Sequence, residues 1–242
     1  MGKNPFPIES AKINRMQNQV RFVFFDVGNT LLFPNRARIL APLHARKIVP
    51  TDEQLRQLEI EIKHKFDDII EHGGRADHGF WSMFYIRLFE VLGVADDALR
   101  QQLVADTRNS ANWDQPRPGT PKALARIRNK YKTAVISNSD GKIAEVVARA
   151  GIGDGFLSIT DSGVVGKEKP HPLIFETALK SVGAKPEESL YVGDVYSVDY
   201  CGATKAGMTA VLFDVPGAYR NKGVPRVESL EELIGMLGLI AS

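Results

Sequence analysis

This sequence predicts an α/β fold: a parallel sheet flanked by helices, with a purely helical segment inserted after the first strand. Three observations carry that expectation. Residues Val20–Phe25 are almost unbroken in apolar, β-branched and aromatic character and stop at a single carboxylate, Asp26, in the manner of a buried strand. From Pro116 onward, strand-like runs alternate with helix-like ones, the pattern of a parallel sheet covered on both faces. Between about Phe33 and Trp113 the apolar residues instead recur at three- and four-residue intervals, and no convincing strand pattern occurs. The first strand has no partner of its own, so it joins the later sheet and the helical block interrupts one α/β domain. The changes of character place a polar tail at 1–19, the α/β core at 20–33 and 114–242, and the helical insertion at 34–113.

In chain order, Phe33-Pro34-Asn35 ends the first strand region. Arg36–Ile48 reads as helix, broken into two pieces by Pro42. Thr51 and Gln54 form a capping box, opening a helix whose Leu55, Leu58, Ile62, Phe66, Ile69 and Ile70 share one face. Gly73-Gly74 stops it. Phe80, Trp81, Phe84, Leu88, Val91 and Leu92 mark a second amphipathic helix ending at Gly93, and a weaker one covers about Ala95–Asp106. This aromatic stripe reads as packing between helices rather than as a ligand cage.

Thr120-Pro121 then reads as an N-cap with proline at the first helical position, opening a helix to about Tyr131. Strands are expected at Thr133–Ser137, Phe156–Thr160, Leu190–Val192 and Thr209–Phe213. Helices are expected at Lys142–Ala150, Pro172–Val182, Asp199–Ala206 and after the cap at Ser229.

Composition narrows the function classes. The 242 residues carry 31 Lys plus Arg against 29 Asp plus Glu, a net charge of +2, which provides no electrostatic footprint for nucleic acid or a membrane surface. Cys201 is the single cysteine, so neither an intrachain disulfide nor a cysteine-based zinc site can form. No apolar run approaches the roughly 18 residues of a membrane span, and Met1–Gln19 lacks the apolar centre of a secretory signal. A cytoplasmic enzyme or binding protein is the expectation.

Polar residues gather where three strands end. One strand ends at Asp26, another at Ser137-Asn138-Ser139-Asp140, and a third at Gly193-Asp194, with Asp199 five residues beyond Asp194. Between the last two lies Lys169-Pro170-His171-Pro172, leading into a helix. Parallel strands present their carboxyl ends on one edge, so Asp26, Ser137 and Asp194 can converge there. Two close carboxylates suit a hard divalent cation, Mg²⁺ above all; a hydroxyl at a helix start suits an anion; a lysine neutralises a nucleophile and a transferring group. That set suits phosphoryl transfer, which is mostly positioning and charge stabilisation. Taken singly, each piece also reads as a turn or a cap: Asp26 as a turn aspartate, Ser137-Asn138 as a helix cap, Lys169–Pro172 as a surface turn.

Together the pieces resemble the motifs of the haloacid dehalogenase (HAD) superfamily from Val20 to the C-terminus. The first motif is similar to Asp26-Val27-Gly28-Asn29-Thr30-Leu31 and the second to Val135-Ile136-Ser137-Asn138. The third is similar to Lys169-Pro170-His171-Pro172, and the fourth to Val192-Gly193-Asp194 through Asp199. The resemblance implies a Rossmann-like core with a helical cap. It implies a Mg²⁺-dependent phosphatase or phosphotransferase acting through an aspartyl-phosphate on a small phosphorylated compound. Asp26 would be the nucleophile, with Lys169 holding its charge and that of the phosphate. Ser137, Asn138 and Thr30 would bind substrate. Asp26, the Gly28 carbonyl and Asp194 would hold Mg²⁺, and Asp199 would complete the metal site by ordering the lysine or a metal-bound water.

One departure stands out. The family's phosphatases carry a second aspartate two positions after the nucleophile, as proton donor to the leaving oxygen; here that position is Gly28. General acid–base catalysis contributes about 10²–10⁴-fold, so substrates with good leaving groups fit best. His44, His64, His72, His78 and His171 are the replacement acids the chain offers, each better read as a surface or rim histidine. A glycine at 28 also admits a backbone with φ > 0. Lys63 and Lys65, on the main insertion helix, read as solvated side chains rather than as the Schiff-base lysine that phosphonate-cleaving relatives use. Two other readings stand beside the phosphatase. One is a catalytically poor member that binds a phosphorylated ligand or protein partner; the other is phosphonate or haloacid cleavage.

Overall fold

The computed structural model describes residues 19–74 and 79–239, so the expected tail, apart from Gln19, and His78 lie outside the described residues. The first strand is β1, Phe22–Phe25, with all four residues buried. It is central because it pairs in parallel on both sides, with β4 (Lys132–Ser137) and with β6 (Ser189–Gly193). Further out lie β5 (Phe156–Asp161) beyond β4, and β7 (Thr209–Phe213) and β8 (Arg226–Val227) beyond β6. The sheet order is β5-β4-β1-β6-β7-β8, parallel throughout.

Side chains of a strand alternate between faces, and β1 accordingly feeds two cores. Val23 and Phe25 join Val135, Val192, Leu124, Val146 and Leu233 in one cluster. That face is covered by α6 (Thr120–Arg128), α7 (Ile143–Arg149) and α11 (Leu230–Met236). Phe22 and Phe24 join Ile136, Tyr191, Phe175 and Ala203 in the other, beneath α9 (Pro172–Val182) and α10 (Cys201–Lys205). Burying a large apolar side chain contributes about 1.5–3 kcal/mol, so this double coverage makes β1 the anchor of the fold. A short α8 (Ser162–Val165) follows β5 directly.

The chain leaves the sheet through a tight reversal in which the Val27 carbonyl accepts from Leu31 and Leu32 amides at 2.9 Å. It then forms β2 (Leu32–Phe33), antiparallel to β3 (Gln115–Pro116), which is the return strand. Every regular element described between them is helical: α1 (Arg36–Ile39), α2 (Ala41–His44), α3 (Asp52–Glu71), α4 (Gly79–Leu92), α5 (Asp97–Arg108) and a 3₁₀ turn at Ser110–Asn112. Pro42 splits the first stretch in two, and the Thr51–Gln54 capping box is present. Leu55, Ile62, Leu88 and Leu103 share a core separate from those of the sheet.

Three local expectations shift. Gly119, at φ 88°, is the N-cap of α6, and Thr120 is its first residue. Asp199 lies within a π turn, Tyr196–Tyr200, rather than at the start of an α-helix. The positive φ of the first loop belongs to Asn29, at 52°, and not to Gly28. The ribbon of β2 and β3 and the two-residue β8 went unread, because strands that short have no period to detect.

Candidate active site

Because β4, β1 and β6 are adjacent and parallel, their carboxyl ends bring Ser137, Asp26 and Gly193-Asp194 to one edge. The Asp26 amide still donates to Val192 O, at 2.8 Å, which extends the ladder and fixes the carboxylate at the rim of the sheet. At the centre is Lys169. Its buried ammonium donates to Asp26 Oδ1 (2.7 Å), Asp199 Oδ1 (2.8 Å) and the Tyr191 hydroxyl (2.7 Å), engaging all three protons. Asn138 clamps the main chain beneath it: Lys169 N donates to Asn138 Oδ1 at 2.7 Å, and Asn138 Nδ2 donates to Lys169 O at 3.0 Å.

Asp199 is committed on both oxygens. Oδ1 accepts from Lys169 and lies 3.0 Å from the Tyr191 hydroxyl, while Oδ2 accepts from Val195 N at 2.9 Å. The π turn carries Asp199 across Gly193, where a Cβ would meet its Cγ at 2.5 Å, so glycine alone fits there. Asp199 is therefore the residue that orients the lysine. Asp26, Asp194 and Asp199 are all buried, with one oxygen of each within 4.8 Å of the others. Burial pushes the Asp26 carboxyl up to about 7, Lys169 opposing and Asp199 and Asp194 adding to the rise. Burial likewise raises Asp194 to about 6 against the pull of Lys63. Burial works against the Lys169 ammonium, yet Asp199 and Asp26 outweigh it and hold its pKa above the usual lysine range.

Lys63 corrects the sequence reading. It is 0 % exposed, and its ammonium lies 2.8 Å from Asp194 Oδ2, 2.9 Å from the Asp194 carbonyl and 3.4 Å from Glu59. On the same helix Asp67 accepts from Ser197 N at 2.9 Å. Glu59, Lys63 and Asp67 recur every four residues, one position around from Leu58, Ile62 and Phe66. That charged stripe beside an apolar seam was the available signal. Lys65 does behave as expected, exposed and paired with Glu61. Tyr191 was also missed, because a buried aromatic in a strand reads as core.

A cavity of about 440 Å³ opens over this edge, and Asp26, Gly28, Ser137, Asn138, Lys169, Asp194 and Asp199 all line it. Thr30 does not. The reversal at Asn29 turns the chain away, leaving the Thr30 hydroxyl buried with no hydrogen-bond partner among the described residues. No described histidine lines the cavity either. His171 caps α9 by accepting from Leu173 N, His64 contacts Ala218 O, His72 contacts Asp68 O, and His44 is exposed. The insertion closes the cavity with Phe66, Phe80, Trp81 and Trp113 and with Thr107, Arg108 and Ser110. A Cβ on Gly28 would lie in ordinary contact with the Trp113 ring, at 3.4 Å, so the indole packs directly beside this position.

Similarity to known proteins agrees with this geometry. The family model described as haloacid dehalogenase-like hydrolase matches residues 20–207. The human haloacid dehalogenase-like hydrolase domain-containing protein 3 is 27 % identical over 238 residues, covering 90 % of this chain and 93 % of that protein. A glyceraldehyde 3-phosphate phosphatase of Pyrococcus furiosus is 39 % identical over 202 residues, 81 % of each chain. Among solved structures, the magnesium-bound HAD hydrolase YfnB of Bacillus subtilis superposes with a TM-score of 0.67 at 18 % identity, covering 90 % of this chain and 99 % of that one. With the matched motifs carried to one sheet edge and the match spanning most of the chain, this protein belongs to the haloacid dehalogenase-like hydrolase family.

Proposed function

We propose that the protein is a Mg²⁺-dependent phosphatase that transfers the phosphoryl group of a small phosphorylated compound to Asp26, with the helical insertion acting as the cap over the substrate. The observation that supports this most is Lys169 joining Asp26 and Asp199 inside a cavity that Ser137 also lines. Asp26 lies at the strand end, held by its own amide and by Lys169, as a nucleophile needs to be. Ser137 and the chain at Asn138 are placed to bind phosphate oxygens. Asp199 and Tyr191 keep the Lys169 ammonium aimed at Asp26.

The carboxylates fit a divalent cation. Three buried acids crowd within 4.8 Å, and with Glu59 beside Lys63 the four negative groups face two ammonium groups, Lys169 and Lys63. Asp26 and Asp194, with the Gly28 carbonyl, are the residues to hold Mg²⁺, since both Asp199 oxygens are taken. When bound, Mg²⁺ supplies charge neutralisation between the nucleophile and the phosphoryl group. Lys63, held as an ammonium by Asp194 and Glu59, is a poor carbonyl nucleophile, which argues against Schiff-base cleavage of a phosphonate.

Asp26→Asn is expected to abolish Mg²⁺-dependent phosphate release with an unchanged circular dichroism spectrum; turnover near the original rate would remove Asp26 as nucleophile. Asp194→Ala is expected to weaken Mg²⁺ binding in titration calorimetry, and an unchanged affinity would exclude it as a ligand. Relatives named glyceraldehyde 3-phosphate phosphatase put that triose phosphate on the first substrate panel. The glycine at position 28 favours one second reading, a member that binds a phosphorylated ligand with little turnover. Tight binding of a substrate that is not hydrolysed would identify it.

A further inference from the structure

We infer that the substrates of this site are phosphomonoesters of aromatic alcohols, with Trp113 and the rings beside it seating the leaving group. The inference rests on the phosphatase reading above and adds the leaving group to it. Beside Thr107, Arg108 and Ser110, the insertion lines the cavity with a chain of rings in edge contact. Phe66 and Phe80 lie 5.6 Å apart, Phe80 and Trp81 5.0 Å, and Trp81 and Trp113 5.5 Å. Phe80, Trp81 and Trp113 are half-buried, with ring surface open to the cavity. Trp113 is fixed in place, because its Nε1–H donates to Thr107 O at 2.7 Å. That bond also spends its one polar hydrogen, so the indole offers carbon alone towards Gly28.

The chemistry follows from this placement. An Asp26 oxygen attacks phosphorus, the P–O bond to the leaving group breaks, and its electron pair stays on the departing oxygen. No described histidine lines the cavity and Gly28 provides no carboxyl; Asp140 and Glu168 also line it, Asp140 accepting from Ser110 N and held below the usual carboxylate range, and we take the departing oxygen to leave as an anion that gains its proton from solvent afterwards. Water then attacks the aspartyl-phosphate, the pair of the broken P–O bond returns to Asp26, and the proton of the water leaves with phosphate. A phenolate departs readily under those terms and an alkoxide does not. A wall of rings is in turn the surface on which an aromatic group is held, by edge-to-face contacts each worth a few-fold in affinity.

Four compounds separate ring recognition from leaving-group quality: phenyl phosphate (ring, good leaving oxygen), benzyl phosphate (ring, poor leaving oxygen), acetyl phosphate (no ring, good leaving group) and glyceraldehyde 3-phosphate (neither). With Mg²⁺ present, kcat/KM for phenyl phosphate is expected to exceed the others by tenfold or more, and benzyl phosphate is expected to show a low KM with a low kcat. Trp113→Leu, and independently Trp81→Leu should the first fail to fold, is expected to lower the ratio of phenyl to acetyl phosphate kcat/KM roughly three- to tenfold. Acetyl phosphate or the triose phosphate matching phenyl phosphate would overturn the inference while leaving the phosphatase intact. Should no ester release phosphate, the phosphatase reading fails, and binding decides the remainder. Calorimetry on the unaltered protein with Mg²⁺ would then show phenylphosphonate binding more tightly than methylphosphonate, and equal affinities would end the proposal.

Discussion

An aspartate at position 28 would pack beside Trp113, its Cβ in ordinary contact with the indole at 3.4 Å. It would also bring a fourth carboxylate to a site where Asp26, Asp194 and Asp199 already crowd. Gly28→Asp alone is therefore expected to lower stability through carboxylate repulsion, with little gain in rate on alkyl phosphates while Trp113 packs against the new side chain. The cost does not come from the backbone, since Gly28 has no positive φ. Gly28→Asp with Trp113→Leu makes room, and is expected to raise turnover of glycerol phosphate, by less than the ~10²–10⁴-fold of a positioned acid. Melting temperatures and initial rates of both variants check this. A larger gain in the single variant would show that Trp113 is not the obstacle.

At the scale of elements, α3 does two things with neighbouring stripes. Leu55, Leu58, Ile62 and Phe66 are buried, the first three of them in the core of the insertion, while Lys63 and Asp67 reach the loop after β6 that carries Asp194 and Ser197. A buried ammonium between two carboxylates is costly to delete, because its partners stay behind uncompensated. Lys63→Met is expected to destabilise by ~3–5 kcal/mol at pH 8. The loss should be smaller at pH 5. Asp194 already titrates near 6, and without Lys63 its pKa rises further, so at pH 5 it is neutral and needs no partner. Lys65→Met removes an exposed pair with Glu61 and is expected to stay within ~0.5 kcal/mol. Urea denaturation at the two pH values measures both; equal effects for the two lysines would contradict the docking role of α3.

For the whole molecule, the buried acids couple protons, metal and stability. Asp26 at about 7 and Asp194 at about 6 lie above the 3.8 of a free aspartate, so the folded chain binds protons more tightly than the unfolded chain. Their contribution is full below pH 3.8 and is lost as the pH rises through 6 and 7, which lowers the stability of the metal-free protein over that range. If these carboxylates hold Mg²⁺ as proposed, the ion displaces the same protons and its affinity is expected to rise over the same interval. The rise in melting temperature on adding Mg²⁺ is expected to be small at pH 5.5 and largest near pH 8. A shift of the same size at both values would show that these carboxylates do not hold the metal. Among the described residues no helix is long and apolar enough to cross a membrane.

Much of this was legible along the chain because its signals are local. The apolar run before Asp26, the Thr51–Gln54 capping box, Pro42 and the helix stops at Gly93 and Gly183 each depend on a few neighbouring residues, and each element formed where it was expected. Convergence of Asp26, Ser137, Lys169 and Asp194 was legible too, since parallel strands share a carboxyl edge whatever surrounds them. Other features depended on which distant surfaces meet. Lys63 is solvated or buried according to where α3 docks, 131 residues away in sequence from the Asp194 it pairs with. Trp113 is core or cavity wall according to how the return to β3 lies over Gly28. Thr30 is buried off the cavity lining, after a turn at Asn29 that no periodicity records. Burial, and with it the raised pKa of Asp26 and Asp194, is set by the packing of remote segments, and the tertiary structure alone decides it.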